Sequence, residues 1–122
     1  MQAWLADKLE HWPIERLLPY IRNARTHSEA QIAQIAASIA EFGFTAPILA
    51  GSDGVIVAGH GRLAAARQLG LATVPVVVLE HLTPTQRRAL VIADNKIAEN
   101  AGWDEELLRL ELAELQGADF DL

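Results

Sequence analysis

The sequence feature that most constrains the fold is a glycine turn that joins an apolar strand to a helix. The apolar run from Val55 to Ala58 leads into Gly59-His60-Gly61-Arg62, and an alanine-rich helical stretch then continues to Gly70. Glycine permits backbone dihedrals and close approaches that other residues avoid. A strand that passes directly into a helix is typical of a domain in which sheet and helices share one core.

The same turn has the chemistry of an anion site. The first turn of a helix exposes backbone N–H groups that have no intrahelical acceptor, and it carries the positive end of the helix dipole. Arg62 lies in that turn and can present its guanidinium fork to a phosphate. The turn therefore predicts a phosphate-binding site. A tight strand-to-helix connection with a surface arginine is the alternative interpretation.

Local signals predict the other elements. Ser28 with Gln31, and Thr83 with Gln86, form capping-box patterns at the starts of two helices. The predicted set, in chain order, is an edge strand at His11–Ile14, a short helical turn around Pro19, a helix from Ser28 to Gly43, a hairpin of Ala46–Ala50 with Val55–Ala58, a helix from Arg62 to about Leu69, a strand at Thr73–Leu79 buried on both faces, a helix from Thr83, and a final helix capped by Asp104. The leucine stripe of this final helix docks on the body or, if it is exposed, contacts a second copy or a partner domain. The predicted class is therefore α/β (α+β), a small mixed sheet packed with helices.

Composition narrows the function classes. The chain has 122 residues, enough for one domain, and its lack of cysteine excludes thiol catalysis, disulfides and thiolate metal sites. No apolar run is long enough to span a bilayer, and residues 1–9 lack the pattern of a secretory signal. We therefore expect a cytoplasmic protein with no membrane contact.

The net charge of −6 is unevenly distributed along the chain. No stripe of lysine and arginine precedes position 103, so direct DNA binding by this chain alone is not predicted. We expect DNA to be reached through a partner domain or an oligomer, with a homodimer as one form. The excess acidic residues all follow position 103: Asp104, Glu105, Glu106, Glu111, Glu114, Asp119 and Asp121.

Four segments, in order, match the pattern of a known family. They are Asn23–His27, Phe42–Ile48, Val57–Ala66 and Ile92–Lys96. Together they resemble the ParB/sulfiredoxin-like fold, which includes the N-terminal domains of chromosome-partitioning ParB proteins, sulfiredoxin and a free-serine kinase. The resemblance covers about residues 10–100. It leaves residues 1–9 as a leader and residues 101–122 as an acidic C-terminal helix or connector.

The resemblance implies a nucleoside triphosphate site, with CTP bound in partitioning proteins and ATP or ADP in other branches. Mg²⁺ and CTP or ATP are therefore the expected cofactors. By position, the phosphates would meet Gly59, His60, Gly61, Arg62, Arg25 and Asn95, Mg²⁺ would lie near Asp94, and the base pocket would contain Thr45 and Pro47.

This sequence departs from the family pattern at two positions. The box of the partitioning proteins reads Gly-Glu-Arg-Arg, so His60 replaces the acid and Gly61 replaces the first arginine. Sulfiredoxin has its catalytic cysteine at the position of His60, so sulfinic-acid reduction is excluded. His60 is compatible with two roles, a general base and a neutral donor to phosphate. His27, next to a helix cap, is equally compatible with a structural and a functional role.

The stretch Asn100–Leu107 extends the resemblance to ParB-like modules fused ahead of bacterial and prophage DNA methyltransferases. Three function hypotheses follow. The first is a nucleotide-binding module that acts beside DNA processing, partitioning or methylation. The second is a metal-dependent nuclease or nucleotide hydrolase, with Asp94 as the acid and metal ligand. The third is an interaction module that binds no nucleotide.

Overall fold

A mixed four-stranded sheet packed with helices organises the fold, as the predicted α+β class requires. The computed structural model describes residues 8–21 and 26–118. In chain order its elements are β1 (Leu9–Pro13), a 3-10 helix (Ile14–Arg16), α1 (Glu29–Phe42), β2 (Ile48–Ala50), β3 (Ile56–Ala58), α2 (His60–Leu69), β4 (Thr73–Val78), α3 (Pro84–Asn100) and α4 (Glu105–Gly117). The strand order is β1-β4-β2-β3.

Strand β4 lies in the middle of the sheet, antiparallel to β1 and parallel to β2. Val74, Val76 and Val78 are buried, whereas Pro75 and Val77 are only partly covered. The predicted strand is therefore fully buried on one face and only partly buried on the other. The cause is the packing: α2 closes the first face, while the second face is covered by a smaller apolar cluster that includes part of α3.

The N-terminal part of the chain confirms one prediction and corrects another. Pro13 ends β1, which lies at the sheet edge, where a proline is tolerated. The predicted helical turn around Pro19 is wrong, since the turn is a 3-10 helix at Ile14–Arg16. Leu18 is instead extended and pairs with Val55, and its backbone exchanges hydrogen bonds with the β2–β3 hairpin. That long-range pairing overrides the local helical signal.

The predicted helix starts are confirmed where side chains cap them. Both capping boxes are present, at Ser28 with Gln31 and at Thr83 with Gln86. The side chain of Asp104 accepts a hydrogen bond from the backbone of Leu107 at the start of α4. Strands β2 and β3 pair antiparallel, as the predicted hairpin requires.

An ion pair ties the hairpin to α3. Both terminal nitrogens of Arg87 donate to the Asp53 carboxylate, at 3.0 and 2.9 Å. The hydrogen bonds from Arg87 lower the pKa of Asp53 below its ordinary value. Helix α3 then runs without a break to Asn100, so Asp94 and Asn95 lie on consecutive positions of a continuous helix.

Helix α4 differs from the rest of the fold because none of its residues is buried. The prediction that its leucine stripe docks on the body is therefore not met in this structure. Leu108 and Leu115 are partly covered, while Leu107 is 59% exposed. Among the described residues, no helix combines the length and the apolar character needed to cross a bilayer.

Candidate functional site

The glycine turn holds a backbone conformation that only glycine adopts easily. Gly59 has φ +111°, and an added Cβ would lie 3.0 Å from Cγ1 of Ile48. The backbone N–H of Leu63 donates to the Gly59 carbonyl at 2.9 Å, so α2 begins at His60, two residues before the predicted start. The backbone N–H groups of the first turn therefore have no intrahelical acceptor, as an anion site requires.

A cleft of about 280 Å³ lies at this turn. It brings together residues of the turn and of α3, which the sequence places in two separate segments. The predicted residues that line it are Gly59, His60, Gly61, Arg62, Asp94 and Asn95. His27 and Ile35 line the same cleft from the start of α1 and its body, and they were not among the residues assigned to the site.

Arg62 connects the cleft to a neighbouring cavity. Its Nη1 donates to the backbone carbonyl of Pro47 at 3.0 Å, so the guanidinium supports the chain just before β2. Arg62 also lines a cavity of about 130 Å³ with Thr45. Pro47 lines a third cavity, of about 600 Å³, again with Thr45. Arg25 lies outside the described residues.

The hydrogen bond of His60 fixes the state of its imidazole. Its Nε2 accepts the backbone N–H of Tyr20 at 3.0 Å, so the neutral ring carries its proton on Nδ1. Burial, reinforced by the nearby His27, lowers the pKa of His60 below its ordinary value. A general base needs a nitrogen that can take a proton, and the one unprotonated nitrogen of this ring already accepts the Tyr20 hydrogen bond. The geometry therefore favours a neutral donor over a base.

Gly61 is a buried helical residue that lies directly against an imidazole. A Cβ added to it would be 3.1 Å from Cε1 and 3.2 Å from Nδ1 of His27, and 2.9 Å from Cδ1 of Ile35. Sequence reasoning left His27 open because the contact joins two distant segments. The only local signal was a glycine placed inside the first turn of a helix, where glycine is a poor helix former.

Asp94 and Asn95 bring a carboxylate and a side-chain amide to the cleft. Asp94 is exposed and Asn95 is partly covered. Among the described residues, no group of three or more His, Asp or Glu side chains has an arrangement that could hold a metal ion. A carboxylate and an amide provide at most two protein ligands. Mg²⁺ would therefore bind here only with phosphate oxygens and water completing its coordination.

These features define a mixed-sheet domain with a cleft at a glycine-rich helix start. A family model described as "ParB N-terminal domain" matches residues 4–95. The chain belongs to the ParB N-terminal domain family.

Individual relatives agree with that assignment. The chain is 48% identical over 81 residues to the "ParB-like nuclease domain-containing protein YnaK" of Escherichia coli K12, a match that covers 66% of this chain and 93% of YnaK. The C-terminally truncated chromosome-partitioning protein ParB from Caulobacter crescentus, complexed with CTP-gamma-S, superposes with a TM-score of 0.75 and 30% identity. That likeness covers 88% of this chain and 62% of the ParB chain, so this chain spans about three fifths of it.

The same ParB has also been solved in complex with the centromeric parS site. That structure matches with a TM-score of 0.59 and 31% identity, over 70% of this chain and 46% of the ParB chain. Both likenesses exceed 0.5 in TM-score, and the fold relationship is therefore supported by two states of one protein.

Proposed function

We propose that this chain is a nucleoside-triphosphate-binding module, with CTP as the first candidate ligand and Mg²⁺ as its counterion. One observation carries the proposal: the glycine turn at the start of α2 and the Asp94-Asn95 pair of α3 line a single cleft. The likeness to ParB complexed with CTP-gamma-S, over 88% of this chain, supports a nucleotide rather than another anion.

The residues of the cleft suit the parts of a nucleotide. The backbone N–H groups of residues 60–62 offer donors to phosphate oxygens. His60 adds the N–H of its Nδ1. Asp94 and Asn95 would hold Mg²⁺ through one or two ligands while the phosphates supply the rest. Nucleotide binding by these groups needs no general base. This agrees with the hydrogen bond from the Tyr20 backbone that occupies Nε2 of His60.

The base of the nucleotide would lie toward Thr45. Arg62 lines both the phosphate cleft and the Thr45 cavity, so one side chain joins the two halves of the ligand site. The hydrogen bond from Arg62 to Pro47 holds the strand entrance that would face the base. In this proposal Thr45 and Pro47 are base-pocket residues, as their positions in the resemblance imply.

The proposed biological setting is DNA processing of the partitioning or methylation type. The parS complex of the related ParB supports a DNA-linked role. The acidic charge that follows residue 103 disfavours direct DNA binding by α4. DNA would therefore be reached through a partner domain or a homodimer, and the nucleotide would regulate that contact.

A metal-dependent nuclease is the second candidate, favoured by the likeness to YnaK, which is described as containing a ParB-like nuclease domain. The described residues contain no cluster of three or more metal-ligating side chains, and Asp94 is the acid of the cleft. Incubation of plasmid DNA with the protein and Mg²⁺ or Mn²⁺ tests this candidate. Cleavage that disappears in Asp94→Ala would establish it over the regulatory module.

Calorimetric titration with CTP, ATP and ADP, each with Mg²⁺, tests the proposed function. We expect saturable binding that weakens at least about tenfold in Arg62→Ala, because a charged hydrogen-bond donor is removed. Arg67→Ala is the matched control, since Arg67 lies on the same helix and is exposed. Thermal melting of both variants confirms that loss of the bond to Pro47 has not unfolded the protein. A folded wild-type protein that binds none of the nucleotides would overturn the proposal and leave the nucleotide-free interaction module.

A further inference from the structure

The backbone conformation at position 61 does not require a glycine. The described glycines with positive φ are Gly43, Gly54, Gly59 and Gly70, so Gly61 has an ordinary helical conformation. Alanine would be the better helix former at such a position. The cause of the glycine must therefore be its surroundings, and these are the His27 imidazole and the tip of Ile35.

The contact with His27 is specific in its geometry. The imidazole lies where a side chain at position 61 would begin, with Cε1 at 3.1 Å and Nδ1 at 3.2 Å from the added Cβ. His27 comes immediately before the Ser28 cap of α1, and α1 packs against α2. The ring is half-buried and lines the phosphate cleft. The glycine thus admits an imidazole from another segment into the space beside the helix start.

Two other side chains of the cleft, those of His60 and Arg62, already form hydrogen bonds with the protein backbone. His60 uses Nε2 to hold the Tyr20 backbone, and Nη1 of Arg62 donates to the Pro47 carbonyl. The structure gives the His27 ring no hydrogen-bond partner among residues 8–21 and 26–118. Asp94 is the acid that lines the same cleft, so a bound polyanion would need cationic or N–H donors to offset the repulsion between the two negative charges.

We infer that His27 is a phosphate-positioning residue and that Gly61 is a glycine in order to admit it. This inference rests on the proposed nucleotide function and deepens it by naming a ligand from outside the glycine turn. The imidazole would donate an N–H to a phosphate oxygen, from the position that a longer side chain at 61 would otherwise occupy. The two residues form one functional unit, supplied by the segment just before α1 and by the first turn of α2.

The first test compares nucleotides of different phosphate content. Titration of the full chain with CTP, CMP and cytidine, all with Mg²⁺, is repeated for His27→Ala and His27→Gln. We expect His27→Ala to weaken CTP about tenfold or more and to leave the affinity for cytidine unchanged, because only a phosphate contact is lost. His27→Gln, which keeps an N–H donor, should recover part of the CTP affinity. His81→Ala is the matched control, since His81 is exposed and lies outside the cleft.

The second test measures coupling between the two residues. Gly61→Ala alone should weaken CTP, since the new methyl displaces the imidazole. Added to His27→Ala, the same substitution should change CTP affinity little, because the imidazole that the new methyl would displace is already absent.

The outcomes separate the inference from the proposed function. If wild-type protein binds CTP and His27→Ala binds it equally well, the inference is overturned while the nucleotide site stands. Equal losses for CTP, CMP and cytidine would also overturn it, since they indicate a structural role for His27. If folded wild-type protein binds no nucleotide, the proposed function and the inference fall together.

Discussion

The glycine-turn region and helix α4 are opposite kinds of structure in one short chain. Around the turn, Gly59 is held in a left-handed conformation, Gly61 is buried against His27, and Arg62 is anchored to Pro47. Helix α4 has no buried residue and carries much of the chain's excess acid. The dense constraint at the turn is what the proposed nucleotide site requires, since a ligand site must hold its residues in fixed geometry. In α4 the leucine stripe is left largely exposed, and a contact of this stripe with a partner domain or a second copy stays a prediction.

The largest expected difference between the regions is in core packing. Trp12 is 1% exposed, its Nε1 donates to Glu10, and Arg16 stacks over its ring, so Trp12→Ala should lower the free energy of unfolding by about 3–5 kcal/mol. Leu107→Ala in α4 should change it by less than about 0.5 kcal/mol, because that side chain is exposed. Urea denaturation of both variants measures the difference. A loss of several kcal/mol for Leu107→Ala would mean that α4 is packed after all.

Backbone constraint gives the next largest effect. Gly59→Ala should destabilise the protein by about 2–4 kcal/mol, since it adds a Cβ at φ +111° and 3.0 Å from Ile48. Gly102→Ala, between α3 and α4, adds its Cβ to open space and should be close to neutral. Denaturation curves of the two alanine variants should therefore separate clearly. Equal stability of the two variants would show that the turn does not require glycine at position 59.

The smallest effect concerns pH and His60. Its pKa is lowered in the folded protein, so the unfolded chain binds the proton more tightly. The stability contribution is therefore present above the ordinary histidine pKa of 6.5 and is lost as the pH falls toward the lower folded value. Since the ring is only half-buried, we expect a loss of less than about 1 kcal/mol. His60→Gln should flatten the stability profile below pH 6.5, as followed by thermal melting. An unchanged slope would contradict this assignment.

Local interactions explain which parts of the fold could be predicted from the sequence. The caps at Ser28, Thr83 and Asp104 each use a partner three residues away, and all were predicted. The pairing of Leu18 with Val55 joins distant segments, and the helical turn expected near Pro19 was wrong for that reason. The docking of the α4 leucine stripe on the body was expected and is not seen, because an amphipathic leucine pattern predicts a contact without identifying its partner.

The residues of the candidate site likewise fall into those that local sequence predicts and those that only the fold brings together. The glycine turn could be predicted because its residues are contiguous and the chemistry of a helix start is local. Its meeting with Asp94 and Asn95 was expected only through the family resemblance, and the cleft now contains both. The contact of His27 with Gly61 had no local signature, since a side chain from one helix start fills a space beside another. Tertiary proximity of this kind requires the fold.

Backbone amide NMR of the isotopically labelled chain, titrated with CTP and Mg²⁺, tests the contrast between the two regions most directly. We expect large, saturable shifts at residues 59–63 and at Asp94 and Asn95, with smaller shifts at His27 and Thr45. The amides of α4 should show no large, saturable shifts. Saturable shifts confined to α4, or no shifts in a folded protein, would contradict the claim that the glycine turn is the nucleotide site.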